Sequence, residues 1–239
     1  MPDPLVQAAK RRQAAGIIGF LVVTAVLMSV AYQVIRRDAV AFRRAENAFA
    51  RGDFSAAVTD YERARSLGLR AEGLRWRLSQ ALIATGRSEE ALTVLREHLA
   101  QHPGDADALA AASGLLQSLG RPLDGLALYA AAGDRVKLSP AELVRLADLH
   151  QQAGHLPEAI ALVQQALPAA PASSQADLNV LLASLLSRAD RRAEALVALQ
   201  EALRLDPAHR AGRLALARTL AWEQRYTDSI TAYRAYLGP

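Results

Sequence analysis

The chain has 239 residues, of which 51% are hydrophobic and only 5% aromatic, and it carries a formal net charge of +4. It contains no cysteine, which excludes disulfides, a cysteine-ligated zinc site and a thiol nucleophile. The charge excess lies within residues 1–37, since residues 38–239 hold equal numbers of basic and acidic residues. The larger part of the chain therefore lacks the general basic field that nucleic-acid binding requires. Its many Ala and Leu residues are strong helix formers and predict an all-α fold.

The N-terminal pattern predicts a short basic tail, residues 1–15, and a transmembrane helix, residues 16–37. Residues 16–35 contain no charged side chain. As a helix, this segment spans roughly 30 Å, the thickness of the hydrocarbon core of a bilayer. Basic residues flank it on both sides: Lys10, Arg11, Arg12, Arg36 and Arg37. We therefore expect the chain to be anchored in a membrane through residues 16–35.

Two features of this segment leave alternatives open. Ser29, Val30 and Ala31 form a small-x-small pattern that suits cleavage of a secretory signal, although the apolar run continues to Ile35 and favours an uncleaved anchor. The basic residues on the two sides are nearly balanced, so the positive-inside rule does not decide the orientation. A short basic tail before a first apolar helix favours a single-pass protein of a bacterial inner membrane with its C-terminal domain outside the cytoplasm. The cytoplasm-facing orientation remains the alternative.

After the anchor, the sequence repeats itself. Four glycines recur at intervals of 34 residues: Gly52, Gly86, Gly120 and Gly154. Each lies between two amphipathic helical patterns, and glycine permits the left-handed backbone that ends a helix within a few residues. Asp190 and Gln224 take the corresponding place further on. A fixed period of this length predicts a stacked array of helix-turn-helix units.

Small residues recur at fixed points in both helices of each unit, where they would let paired helices approach closely. In the first helices these are Ala45, Ser79, Ser113, Ala147, Ala183 and Ala217. In the second helices they are Ala57, Ala91, Gly125, Ala159, Ala195 and Ser229.

The units resemble tetratricopeptide repeats. The matching segments are Gly52-Asp53-Phe54, Ala57…Tyr61…Ala64, and Ala195…Leu199…Ala202 followed by Leu205-Asp206-Pro207. The resemblance implies an α-solenoid over residues 38–239, with about six units at 38–71, 72–105, 106–139, 140–174, 175–208 and 209–239. It also implies protein partners and no enzymatic activity.

In that family the first helices line a concave groove that holds a peptide. When the groove positions of the family are transferred to the equivalent positions of each repeat here, the groove residues are Phe42, Phe49, Trp76, Gln80, Asp107, Gln117, Val144, Asp148, Gln151, Arg188, Arg218 and Trp222. Trp76 and Trp222 are the candidate recognition anchors, with packing against a neighbouring helix as the alternative for each. The family's carboxylate clamp needs paired Asn and basic residues. The corresponding sites are Glu46, Gln80, Gly114 and Asp148, so chaperone binding is not predicted.

Three irregularities carry further expectations. Gly125 and Gly133 weaken the second helix of the third unit and mark residues 125–139 as a candidate hinge. The spacing between equivalent repeat positions lengthens by two residues across 168–174, which predicts a longer loop between repeats. The last unit ends in apolar side chains that would form an exposed edge for docking or self-association: Ile230, Tyr233, Tyr236 and Leu237.

Chemistry beyond binding has little support. His98 and His102 could share a helix face, but no acidic or cysteine ligand accompanies them in the sequence, and contact with helix-end carbonyls is the ordinary role for such a pair. Phosphate-binding and nucleophile motifs are absent, so no catalytic residue, metal or cofactor is predicted. The sequence favours a membrane-anchored scaffold that assembles a cell-envelope complex. A cytoplasm-facing regulatory adaptor and a component of exopolysaccharide synthesis or export are the alternatives, the latter through a short resemblance over residues 216–226.

Overall fold

The computed structural model describes residues 22–31, 36–71 and 73–238. Within these ranges the fold is all-α, as predicted, with no β-strand. Helix α1 covers residues 22–31. The others are α2 (Arg37–Ala50), α3 (Phe54–Ser66), α4 (Leu74–Ala84), α5 (Ser88–Gln101), α6 (Ala106–Ser118), α7 (Pro122–Ala132), α8 (Pro140–Gln152), α9 (Leu156–Ala166), α10 (Ala172–Arg188), α11 (Arg192–Leu205), α12 (Arg210–Trp222) and α13 (Tyr226–Leu237).

The turn inside each helix pair has one repeated geometry. All four glycines of the 34-residue period adopt positive φ angles, and Asp190 and Gln224 adopt the same left-handed conformation with φ of 61° and 59°. At Asp190 the backbone N–H donates to Ser187 O, and the next N–H, that of Arg191, donates to Leu186 O at 2.8 Å. These two bonds form a Schellman motif, which satisfies the terminal carbonyls of the helix. The turn geometry therefore persists where the glycine does not.

The small residues at the helix crossings are buried, as predicted. Ala45, Ala57 and Ala159 are each 0% exposed, and the remaining members of both series are also in the buried class. At Gly125 even a methyl group would be crowded, since an added Cβ would lie 3.2 Å from Leu149 Cδ2. Close approach of the paired helices therefore explains why side chains stay small at these points.

Two irregular segments have a local explanation. Helix α7 continues through Gly125 and ends before Gly133, whose φ is 52° and which begins a 3₁₀ turn, Gly133–Arg135. The hinge at residues 125–139 remains a prediction. The phase shift near Pro168 corresponds to a second 3₁₀ turn, Leu167–Ala169, after which α10 begins at Ala172 and runs for 17 residues. Helix α8 begins with a capping box formed by Ser139 and Glu142.

The chain divides into two compact units, one ending at Val94 and the other beginning at Leu95, within α5. In the first unit Ala41, Ala64 and Leu74 form a small buried cluster against which Phe42 packs. In the second unit a larger buried cluster contains residues of the four helices α8, α9, α10 and α11. Val163, Leu185 and Leu199 are among its most buried members.

Part of the predicted membrane segment lies outside the described residues, namely residues 16–21 and 32–35. The described part, α1, has large apolar side chains on its surface: Val22, Val23, Val26, Leu27, Met28 and Val30 are between 53% and 69% exposed. Among the described residues, no helix has both the length and the apolar character that crossing a bilayer requires.

Candidate protein-binding face

The candidate binding face of the second unit is built by α6, α8, α10 and α12, the first helices of four consecutive pairs. Contacts run directly between α6 and α8 and between α10 and α12, besides those within each pair. Eight of the residues that the repeat phase predicts for a groove lie on these four helices: Asp107, Gln117, Val144, Asp148, Gln151, Arg188, Arg218 and Trp222.

Helices α10 and α12, together with α11, enclose a cavity of about 510 Å³ that we call the arginine cavity. It brings together three predicted groove residues, Arg188, Arg218 and Trp222. Its other lining residues are Ala183, Ser184, Ser187, Arg192, Leu199, Ala215 and Thr219. Small side chains, among them Ala183 from the helix crossings, thus line the cavity beside its long arginine side chains.

The charges around this cavity are uneven. Arg192 at its edge is paired with Asp190 at 2.6 Å and lies 3.9 Å from Glu223. Arg188 and Arg218 are exposed and form no ion pair within the described part of the chain. None of the described residues that line the cavity is acidic. The cavity therefore presents two positive charges that no neighbouring carboxylate neutralises.

A second cavity of about 420 Å³, the glutamine cavity, lies along α6, α8 and α10. It brings together four predicted groove residues and five others: Gln117, Val144, Asp148 and Gln151 with Ala141, Arg145, Ala147, Leu181 and Leu185. The amide of Gln117 donates a hydrogen bond to the carboxylate of Asp148, which also accepts from Gln152 at 3.4 Å. Asp107 is exposed on α6 and lines neither cavity.

In the first unit the predicted groove residues Phe42 and Phe49 pack against side chains of their own unit. The ring of Phe42 lies 5.8 Å from that of Tyr61, and the ring of Phe49 lies 5.3 Å from that of Phe54, edge to face. The guanidinium of Arg77 stacks over Phe49 at 5.2 Å. Both phenylalanines therefore fill space between α2 and its neighbours, the structural role that competes with recognition.

Glu46, from the same face, is engaged in the same way. Its carboxylate accepts a hydrogen bond from the hydroxyl of Tyr61 and lies 3.8 Å from Arg77. Burial of Tyr61, reinforced by its bond to Glu46, raises the pKa of the tyrosine hydroxyl. Trp76 and Gln80 are half-buried on α4, and the Gln80 side-chain oxygen is buried without a hydrogen-bond partner among the described residues.

Several lining residues escaped prediction from the repeat phase. Arg192 and Leu199 belong to α11, a second helix, which the resemblance assigns to the outer layer. Arg192 follows Arg188 by four residues, but the turn at Asp190 separates them, so helical periodicity does not relate the two. Ser187 directly precedes Arg188, the last residue of α10, and also lines the cavity.

The predicted C-terminal edge is exposed in part. Ile230 and Leu237 are 53% and 77% exposed, whereas Tyr233 and Tyr236 are half-buried. The guanidinium of Arg210 covers the ring of Tyr236 at 5.2 Å. The edge is therefore less exposed than the sequence pattern predicts, and self-association through it stays a prediction.

One histidine of the pair contacts an acidic residue, which the sequence pattern did not predict. His98 is buried and its Nε2 lies 2.7 Å from Asp105 Oδ2, while its ring is 4.8 Å from that of His102. Asp105 also caps α6 by accepting from the Ala108 N–H. Burial acts to raise the pKa of the Asp105 carboxyl, but the bonds from Ala108 and His98 hold it below its usual value. His98 thus pairs with the N-cap of the next helix, and the described residues hold no group of three metal-ligating side chains.

The sequence matches the tetratricopeptide-repeat family over residues 48–115 and 180–239, together more than half of the chain. No curated protein matches it.

Three solved structures share the fold. YrrB, described as a repeat protein with an unusual peptide-binding site, aligns with a TM-score of 0.62 and 13% identity over 74% of this chain and 90% of its own. MamA from Desulfovibrio magneticus aligns with a TM-score of 0.59 and 19% identity over 67% and 89% of the two chains. The C-terminal part of a repeat protein from Cytophaga hutchinsonii aligns with a TM-score of 0.67 and 15% identity over 82% and 78%.

Proposed function

We propose that this protein, which belongs to the tetratricopeptide-repeat family, is a membrane-anchored scaffold that holds a segment of a partner protein on the inner helices of its second unit. Proteins of this family generally act as non-enzymatic interaction scaffolds. The observation that carries the proposal is the convergence of seven phase-predicted residues on two cavities along α6, α8, α10 and α12. Concave surfaces that combine an apolar floor with a few polar groups are the usual form of binding sites.

One neighbouring structure supports a peptide as the kind of ligand. YrrB is described as having a peptide-binding site, and its fold aligns over most of this chain. The residues that would form such a site here are available, since Arg188, Arg218 and Trp222 are exposed. A partner segment lying along α8 to α12 would contact both cavities.

Site-specific photocrosslinking in cells tests the proposal. A photoreactive phenylalanine replaces Trp222 or Gln151 at the two cavities, and Val197, which is 65% exposed on α11, serves as the matched outer position. We expect discrete covalent adducts from Trp222 and Gln151 and none from Val197. Adducts of the same mass from all three positions, or from Val197 alone, would contradict a groove on the inner helices.

Membrane anchoring rests on the uncharged segment 16–35 and on the exposed valines of α1. Unfavourable exposure of six large apolar side chains on one short helix is relieved when lipid surrounds them. The favoured location is a bacterial inner membrane with the helical repeats outside the cytoplasm, where the scaffold would assemble a cell-envelope complex.

Membrane extraction and a reporter fusion test the anchor and its orientation. In the full-length protein, Val22→Arg with Val26→Arg should move the protein from the carbonate-resistant membrane pellet to the supernatant, because arginine in a membrane helix costs about 2.5–3.5 kcal/mol per residue. Val197→Arg, an exposed valine of α11, is the control and should stay in the pellet. A reporter enzyme that is active only in the periplasm, fused after Pro239, should be active. Activity of a reporter that works only in the cytoplasm would show the opposite orientation.

A further inference from the structure

We infer that the arginine cavity binds an acidic peptide segment, with a carboxylate held between Arg188 and Arg218 and an apolar neighbour seated against Trp222. This inference rests on the proposed function and names the chemistry of the partner.

The first support is the shape and composition of the cavity. Its floor is apolar, since Ala183 and Leu199, each 1% exposed, line it together with Ala215. At about 510 Å³ it has room for two or three side chains of a bound segment. A partner segment must therefore bring apolar side chains to the floor. It must also bring a group that the arginines at the rim can bind.

The second support is the state of the rim arginines. Elsewhere in this unit, the arginines that directly follow the left-handed turn residues are neutralised locally: Arg191 pairs with Glu194 at 2.7 Å and Arg225 with Asp228 at 2.6 Å. Arg188 and Arg218 form no such pair among the described residues, and the repeats as a whole are electrically neutral. The positive charge at this cavity is therefore a local feature of these two side chains. A guanidinium binds a carboxylate through two parallel hydrogen bonds, which makes carboxylate its natural ligand in a peptide.

The third support is Trp222. As the last residue of α12 it is 62% exposed, although tryptophan is among the most costly side chains to leave in water. Its indole lines the cavity beside Arg218, and it can bury the apolar side chain that follows or precedes an acidic one in an extended segment. Tryptophan and arginine together are the residue types most enriched at the energetic centres of interfaces.

The glutamine cavity differs from the arginine cavity in its charges. Both signs line it, through Asp148 and Arg145, and the amides of Gln117 and Gln152 already donate to the Asp148 carboxylate. Among the described residues, Asp148 accepts hydrogen bonds from these amides and forms no ion pair, so a carboxylate already stands where an acidic segment would lie. An acidic segment is therefore directed toward α10 and α12.

The experiment uses the full-length protein in detergent micelles and a labelled nine-residue peptide with blocked ends, in which Glu alternates with Leu or Phe between two Ser residues. A second peptide has Gln at every Glu. Fluorescence anisotropy should show at least tenfold tighter binding of the acidic peptide. The double variant Arg188→Gln, Arg218→Gln should lose at least tenfold in affinity and no longer distinguish the peptides. Arg204→Gln, at an exposed arginine of α11 that pairs with Glu201 at 2.6 Å, is the control and should bind as the wild type does.

Tryptophan emission locates the bound peptide. In the variant Trp76→Phe, Trp222 is the only tryptophan, and its emission should shift to the blue when the acidic peptide binds, because the indole leaves water. Folding of each variant is checked by circular dichroism and thermal unfolding, so that a loss of binding in a folded variant is assigned to the cavity.

Several results would overturn the inference. Equal affinity for the two peptides, including no binding of either, rejects an acidic segment as the ligand. An equal loss in Arg204→Gln rejects the cavity as the place. Tighter binding of single-stranded RNA of the same net charge, lost in the double arginine variant, would assign the cavity to a nucleic acid. If photocrosslinks from position 222 persist in cells in any of these cases, the scaffold function stands and only the class of segment is rejected.

Discussion

Glu46 and Arg218 occupy the same place in their repeats, six residues before the turn residues Gly52 and Gln224, yet their surroundings differ. Glu46 accepts a hydrogen bond from the buried Tyr61 and lies beside Arg77. Arg218 is exposed at the rim of a cavity and forms no ion pair among the described residues. The same register position is therefore used for internal structure in the first unit and left available for a ligand in the second. The position of a residue within its repeat predicts whether its side chain faces inward. The side chains of neighbouring helices decide whether it forms hydrogen bonds and ion pairs within the protein or remains available to a ligand.

The largest expected effect tests the register on which this comparison depends. Ala159 is 0% exposed at a helix crossing, so Ala159→Arg would place an unpaired charge in a close contact. We expect a loss of more than about 4 kcal/mol in the free energy of unfolding, or local unfolding of α8 and α9, because a buried unpaired charge is among the most destabilising changes. Denaturant unfolding followed by circular dichroism measures it. Val197→Arg, at an exposed position of α11, is the control. An unchanged denaturation midpoint for Ala159→Arg would show that the repeat register is misassigned.

The two tryptophans test the comparison directly. Trp76 is half-buried, so Trp76→Ala should lower the free energy of unfolding by about 2 kcal/mol. Trp222 is 62% exposed, so Trp222→Ala should change it by less than about 0.5 kcal/mol while lowering acidic-peptide affinity about tenfold. Chemical denaturation measures the free energy of unfolding of both variants, and peptide titration measures their affinity for the acidic peptide. A larger stability loss at Trp222 than at Trp76 would reverse the assignment of roles.

Two tyrosines at equivalent places sharpen the contrast between partnered and unpartnered polar groups. Tyr61 donates to Glu46, whereas the buried hydroxyl of Tyr129 has no hydrogen-bond partner among the described residues, because Gly114 stands where the first repeat has Glu46. Tyr61→Phe should therefore cost about 1–2 kcal/mol in stability, while Tyr129→Phe should be neutral or slightly stabilising. Thermal and denaturant unfolding of the two variants measure the difference. An equal loss for both would mean that the hydroxyl of Tyr129 is satisfied in solution.

The smallest expected effect concerns the turns. Gln224 holds a left-handed backbone that costs a non-glycine residue about 1–2 kcal/mol, partly offset by the greater freedom of glycine in the unfolded chain. Gln224→Gly should therefore stabilise the protein by about 0.5–1 kcal/mol. The reverse change, Gly86→Ala, should destabilise it by a similar amount through the backbone alone, since a Cβ there meets no atom within 4 Å. A destabilising Gln224→Gly would show that its side chain contributes contacts that outweigh the strain.

The predicted fold follows from the sequence because its signals are local and repeated. The four glycines, together with Asp190 and Gln224, mark the turns, and the small residues at the crossings mark the buried face of each helix. The composition of the arginine cavity could be predicted only in part. Arg188, Arg218 and Trp222 follow from phase, but Arg192 enters from the second helix of its pair after the turn at Asp190. Phase likewise places Phe49 on the inner face without revealing that Phe54 and Arg77 cover it.

The sequence by itself determines the helices, their turns and the residues at close crossings of this protein, because each depends on the backbone preference or size of a side chain within one 34-residue period. Only the tertiary structure decides that Glu46 is bound to Tyr61 and that the 3₁₀ turn Leu167–Ala169 leads into a longer α10. It likewise decides that Arg188 and Arg218 have no carboxylate partner among the described residues. Those outcomes depend on which side chains of neighbouring helices come within hydrogen-bonding or ion-pairing distance, and that proximity arises from packing between repeats rather than from the pattern within one.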